Sequence, residues 1–185
     1  MPEKELMRVI AGKYRHRLLD WPVDENIRPT KDRVREAIFS SLGDITGKAF
    51  LDLYSGSGAM GIEALSRGAE PVYFVDNNIN AFNCIKRNIQ SLKITENHSL
   101  YYKNDFDALR EFMDLKLKFD IVFLDPPYKD GEYENVISFI LDNNLLSEDG
   151  IIITEANRHL FVDESSFKKV KNYSYRDTIV TIYRR

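Results

Sequence analysis

Ala49-Phe50-Leu51-Asp52-Leu53-Tyr54-Ser55-Gly56-Ser57-Gly58-Ala59-Met60-Gly61 is the stretch on which the reading of the fold turns. Ala49 to Leu53 is a short apolar run of strand type. Ala59 to Arg67 reads as a helix stopped at Gly68. Gly56, Gly58 and Gly61 fit the spacing G-x-G-x-x-G between them, and Asp76 closes the next apolar run. In a strand–loop–helix setting such glycines let the backbone approach a nucleoside-bearing ligand, and the acidic residue faces its ribose hydroxyls.

Working outward, strand and helix alternate. Pro71 to Val75, Leu100 to Lys103, Phe119 to Leu124 and Gly150 to Thr154 read as strands. Ile79 to Leu92, Asp107 to Leu115 and Glu134 to Asn143 read as helices. Phe119 to Leu124 is almost wholly apolar, as a central parallel strand covered on both faces must be. Val170 to Tyr175 and Ile179 to Arg184 have only a tight link between them, which permits only an antiparallel pair. Upstream, Met7 to Ala11 and Tyr14 to Leu19 read as a β-hairpin turning at Gly12-Lys13, and Thr30 is placed to cap a helix running to about Leu42. The expectation is one α/β domain over residues 1–185: a doubly wound, mostly parallel sheet with a C-terminal antiparallel hairpin (46–185), preceded by a hairpin-and-helix extension (1–45).

The formal net charge of −3 hides an uneven distribution. Residues 8–35 hold eight Lys or Arg against four Asp or Glu, and residues 165–185 hold six against one. Basic flanks on an acidic body fit a polyanion-facing surface, although ordinary solvated charge gives the same counts. No apolar run approaches the ~18 residues of a membrane span, the first six residues show no signal core, and a cytoplasmic protein is expected. Cys84 is the only cysteine, and His16, His98 and His159 are far apart in the sequence. No metal site is expected.

Asp52 separates two kinds of ligand. A carboxylate ahead of the glycine loop would repel the pyrophosphate of a dinucleotide. S-adenosyl-L-methionine has no phosphate and carries a cationic ammonium and sulfonium instead. Asp52, Gly56 and Gly58 are assigned to its methionine end and Asp76 to the ribose, with Tyr54 and Asn77 beside them as further cofactor contacts. Asp105 is assigned to the adenine amino group in preference to Asp107, with Phe106 lining the ring. The ordinary alternative makes Asp52 and Asp76 turn residues at strand ends.

The fourth strand ends in Asp125-Pro126-Pro127-Tyr128. Two prolines fix φ and remove two donors, so the Pro126 carbonyl faces outward beside the Asp125 carboxylate, with the Tyr128 ring following. An amino group on an aromatic base is a poor nucleophile because its lone pair is delocalised. Two acceptors on its hydrogens favour a pyramidal nitrogen and stabilise the charge that develops during methyl transfer. Asp125, Pro126 and Tyr128 are therefore the expected catalytic residues, and Asp125 also borders the cofactor.

Asp52 to Gly61 resembles the first motif of class I, Rossmann-like methyltransferases, and Asp125 to Tyr128 their amino-methylating tetrapeptide. Met7 to Gly12, Arg28-Pro29-Thr30, Asp32 to Phe39 and Gly61 to Ala69 resemble the RsmD family over nearly the whole chain. Tyr54-Ser55 and the residues before Met7 depart from it. The resemblance implies methylation of N2 of guanine 966 in 16S ribosomal RNA, naked or in an assembling small subunit, and a place near the cofactor or target base for Arg28 and Thr30. The basic hairpin residues Arg8, Lys13, Arg15, His16 and Arg17 would then hold RNA phosphates. Arg33 and Arg35 either join them or pair with Asp32 and Glu36. Rival readings are methylation of adenine or of a glutamine amide, an NAD-dependent oxidoreductase that leaves Asp125 to Tyr128 unexplained, and a catalytically silent RNA-binding module.

Overall fold

The computed structural model describes residues 7–22, 32–127 and 132–185. Arg28, Thr30 and Tyr128, each expected in the site, lie outside the described residues, as does the proposed Thr30 cap.

Seven strands form one sheet in the order β3-β2-β1-β4-β5-β7-β6. They are β1 (Phe50–Asp52), β2 (Val72–Asp76), β3 (His98–Tyr102), β4 (Phe119–Leu124), β5 (Leu146–Ala156), β6 (Lys169–Tyr175) and β7 (Thr178–Arg184). β1 to β5 pair in parallel, and β7 pairs antiparallel with both β5 and β6. The helices are α1 (Asp32–Leu42), α2 (Ala59–Ser66), α3 (Ile79–Ser91), α4 (Asp105–Asp114) and α5 (Glu132–Asp142). The strand order reverses beside β1, and in open α/β sheets ligands bind at the carboxyl ends of the strands at such a point.

Period-2 alternation splits the sheet residues between two cores. Phe50, Phe74, Ile121, Phe123 and Ile153 pack with α1, α2 and α3, while Leu51, Leu53, Val75, Val122 and Leu124 pack with α4 and α5. The helices begin where side chains answer their unpaired N–H groups: Asn78 accepts from Asn80 and Ala81, and Asn104 accepts from Asp107. The cap at Asn104 places Asp105 in the first turn of α4 rather than in a strand-to-helix loop.

The expected N-terminal hairpin forms around the antiparallel bridge of Arg8 with Leu18: Val9 N donates to the Arg17 carbonyl, His16 N to the Val9 carbonyl and Leu19 N to the Met7 carbonyl, each at 2.9 Å. The backbone groups at its tip, Ile10 to Tyr14, go to α2. The Glu63 carboxylate accepts from Ile10 N (2.8 Å) and Ala11 N (3.0 Å), while the Ser66 hydroxyl accepts from Tyr14 N (2.9 Å) and its carbonyl from Lys13 N (2.7 Å). Gly12, at φ +81°, sits where a Cβ would lie 1.8 Å from the Ser66 carbonyl oxygen, so only glycine lets the two backbones meet. Glu63 is fully buried and also holds Arg67 at 2.7 Å and Arg35 at 3.8 Å. Arg35 is buried too and donates to the Arg8 carbonyl (2.5 Å) and Asp32 (2.9 Å). Of the two alternatives open for Arg35, pairing is therefore the one realised; it cannot reach RNA. Burial holds its guanidinium pKa below the ordinary arginine value, against the pull of Asp32 and Glu63.

Candidate active site

The glycine loop is a rigid scaffold. The Ser55 hydroxyl donates to the Asp52 carbonyl (2.7 Å) and accepts from Val75 N (3.0 Å), and Gly58 N donates to the Ser55 carbonyl (2.7 Å). Asn88 of α3 donates to the Ser57 carbonyl (2.9 Å) and to the Asp20 carbonyl (3.0 Å), pinning the loop from behind. Gly58 opens α2 at φ +80°, a conformation that other residues rarely adopt. Gly61 serves packing instead, between α2 and β2, since a Cβ there would come within 2.3 Å of the Phe74 ring.

Strand register puts four carboxylates in a row on one face. Asp52 pairs with Phe74 and Phe123, and Leu124 pairs with Thr154. Two residues beyond Phe74 is Asp76, two beyond Phe123 is Asp125, and Glu155 follows Thr154 beside Asp125. By alternation Asp76, Asp52, Asp125 and Glu155 share the face on which Phe74, Phe123 and Ile153 pack. They stand at the carboxyl ends of β2, β1, β4 and β5. Sequence alone does not single out Glu155, because the apolar run ends at Thr154; Thr154 is itself buried and β5 continues to Ala156.

Asp52 is 1% exposed. One oxygen accepts from Gly61 N (3.0 Å) in the first turn of α2; the other, Oδ1, is buried without a hydrogen-bond partner. Burial pushes its pKa up to about 7, with the Gly61 N–H opposing and Asp76 adding to the rise. Asp76 accepts from Gly56 N (2.8 Å) and Asn78 N (2.8 Å), and burial raises it despite these bonds. Asp125 lies well above the usual carboxylate range, first through burial, then through Glu155 and Asp52. Neighbouring carboxylates pushed upward together form a site short of positive charge.

The remaining candidates divide. The Tyr54 hydroxyl donates to Asp105 at 2.6 Å across the β1 and β3 ends, whereas Asp107 pairs with Arg110 on the exposed surface of α4. Asp105 is thus the one of the two tied to the site. Phe106 stands edge-on to Phe139 of α5 at 5.6 Å, and Asn77 is exposed between β2 and the cap residue Asn78. Arg8, Arg15, His16, Asp32, Arg33 and Glu36 line a cleft of about 280 Å³ between the N-terminal turn and α1. Within it Arg8 sits 3.6 Å from Asp32; elsewhere Arg17 donates to the Ser91 carbonyl (3.0 Å) and Lys13 lies over the Tyr14 ring. No group of metal-ligating side chains occurs among the described residues, and no helix among them is long and apolar enough to cross a membrane.

The family described as Conserved hypothetical protein 95 matches residues 7–184. YlbH of Bacillus subtilis is 37% identical over 183 residues, covering 97% of this chain and 99% of that one. Ribosomal RNA small subunit methyltransferase D of Haemophilus influenzae is 37% identical over 154 residues, 82% of this chain and 79% of the other. Among solved structures, yhhF from Escherichia coli superposes with a TM-score of 0.84 at 29% identity, covering 97% of this chain and 98% of that one. The fold is that of class I methyltransferases, as expected from the sequence. With residues 7–184 matched and a relative 37% identical over nearly its whole length, the chain belongs to the family described as Conserved hypothetical protein 95, the RsmD family.

Proposed function

We propose that this protein transfers a methyl group from S-adenosylmethionine to N2 of a guanine in 16S ribosomal RNA, guanine 966 by family resemblance. The observation that carries the reading is the row Asp76, Asp52, Asp125, Glu155 beside the glycine loop, with one buried Asp52 oxygen lacking a partner. A cationic, phosphate-free ligand fits that row, and an anionic dinucleotide does not. The name of the Haemophilus relative, a small-subunit rRNA methyltransferase, supports the substrate class.

In this reading Asp52 Oδ1 takes the ammonium of the cofactor directly or through water, and Asp76 takes the ribose hydroxyls. Each Asp76 oxygen already bonds one loop N–H but retains acceptor capacity. Tyr54 orients Asp105 toward the adenine amine. When bound, S-adenosylmethionine supplies an electrophilic methyl group on a sulfonium. Asp125 and the Pro126 carbonyl accept the two hydrogens of the guanine amine, draw its lone pair out of conjugation and stabilise the charge growing on nitrogen. Asp125, kept basic by its burial and by Glu155, then takes the proton that the amine must lose. Tyr128 follows in the chain with a ring on which the base can stack. The target base must leave its own stack, so an unpaired loop is the cheaper substrate. The cleft lined by Arg8, Arg15 and Arg33, together with the exposed Lys13 and Arg17, faces the RNA backbone. Arg28 and Thr30 lead toward this cleft in sequence.

Purified protein incubated with 16S rRNA and labelled cofactor, followed by nucleoside mass spectrometry, tests the proposal. Label in N2-methylguanosine is the expected result. Label in adenosine overturns the choice of base, and label only in protein overturns the substrate class.

A further inference from the structure

The most exposed large apolar side chain among the described residues is Phe161, at 90%; Leu18 and Leu115 follow at 56%. It lies in the segment after β5, the strand whose end carries Glu155 beside Asp125. Its exposure is built in. Leu160 and Val162, on either side, both pack against the core under α4 and α5, so extended-chain alternation turns the ring between them outward. The Phe161 N–H donates to Glu134 (3.1 Å) in the first turn of α5, and Arg158 grips the same carboxylate at 2.9 and 3.3 Å. α5 is the helix that follows Asp125 to Tyr128, so its first turn lies at the carboxyl-end rim of the sheet, where the substrate base must arrive.

We propose that Phe161 is a stacking platform for a nucleobase of the RNA substrate next to the methylated one. This rests on the reading of the protein as an RNA methyltransferase. Extruding a base leaves its former neighbour with an uncovered face, and an exposed phenyl ring on a tethered backbone at the rim covers that face without reading its identity. An aliphatic residue would fill a protein pocket equally well but offers no flat π-surface for stacking.

The test uses the full chain and an RNA hairpin of unpaired-loop type, with Phe161→Ala, Phe161→Leu and Phe161→Trp. Phe161→Ala and Phe161→Leu are expected to raise KM for RNA roughly tenfold, with kcat at saturation and cofactor affinity within about twofold, the lower range of stacking contributions. Phe161→Trp is expected to keep wild-type KM, and its indole emission, measured against the wild-type Trp21 background, is quenched on adding RNA. Unchanged KM in Phe161→Ala overturns the proposal. Wild-type behaviour of Phe161→Leu overturns it as well, assigning the position to an apolar protein contact. If the wild-type protein methylates no RNA while the introduced indole is still quenched by RNA, the stacking site stands and the catalytic reading fails.

Discussion

Cofactor affinity should rise with pH across neutrality, because a proton and the cofactor cation compete for Asp52. Its carboxyl pKa is raised to about 7, chiefly by burial. One unit below that value only about one-tenth of the sites are ionised, which weakens cation binding about tenfold, or about 1.4 kcal/mol. An α-ammonium loses its proton near pH 7.7–8.0, so the gain is cut off above that range. Between about pH 6 and 7.5 the two titrations together give roughly a sixfold tightening. Asp76 and Asp125, also raised, act in the same direction. Calorimetric titration with S-adenosylhomocysteine, which keeps the ammonium, measures the slope. Repeating it in buffers of different ionisation enthalpy counts the protons released on binding. Asp52→Asn should bind weakly with a flattened pH profile. An affinity constant over this window in the wild type, or an undiminished slope in Asp52→Asn, would refute the assignment of Asp52 to the cofactor's cation.

Other outcomes follow from the same geometry. Without cofactor, Asp52→Asn should melt several degrees higher than wild type near pH 8. A carboxyl whose folded pKa is raised stabilises the fold only while protonated and loses that stability as pH rises through about 7, so the neutral isostere removes the penalty; scanning calorimetry reads this, and an unchanged or lower midpoint counts against it. Asp125→Ala should abolish turnover with cofactor affinity within a few fold, and Asp125→Asn should retain part of the activity; near wild-type turnover in Asp125→Ala would reduce the tetrapeptide to a turn. Glu63→Ala should cost about 3–5 kcal/mol in urea unfolding, since it leaves the buried Arg35 short of its counter-charge. Replacing Arg15 and Arg33 by Gln should flatten the salt dependence of RNA binding by about 0.7–0.9 in the log–log slope per lost phosphate contact. An unchanged slope moves the RNA surface elsewhere.

The α/β alternation is legible because the central strands are buried on both faces: Phe119 to Leu124 can hardly be read otherwise. Asp52 and Asp76 are legible because a charge at the end of an apolar run stands out. Glu155 obeys the same rule but is hidden by Thr154, whose polarity ends the apolar run although the strand continues through it. The start of β5 at Leu146 is hidden likewise by the polar Ser147-Glu148-Asp149, so the apolar run is visible only from Gly150 although Leu146 pairs with Phe119. The N-terminal hairpin is legible from its alternation, but the docking of its tip, Ile10 to Tyr14, on α2 more than fifty residues away along the chain is not. Nothing local reports that distant choice. Glu63 and Arg35 show the same limit, since charged residues on helices ordinarily face water and only the tertiary arrangement buries them.

The lock of Glu63 on Ile10, Ala11, Arg35 and Arg67 makes the leading segment, α1 and α2 one heritable unit. Chimaeras that join the front of one homologue to the sheet of another at a seam between residues 36 and 62 split a buried charge network, and each half arrives with ionic groups whose complements stayed behind. Any target preference that residues 7–20 carry under the proposed function is therefore not portable on its own. Grafts that change which RNA is modified must move residues 7–20, α1 and α2 together, with Gly12 and Ser66 as a matched pair at the junction.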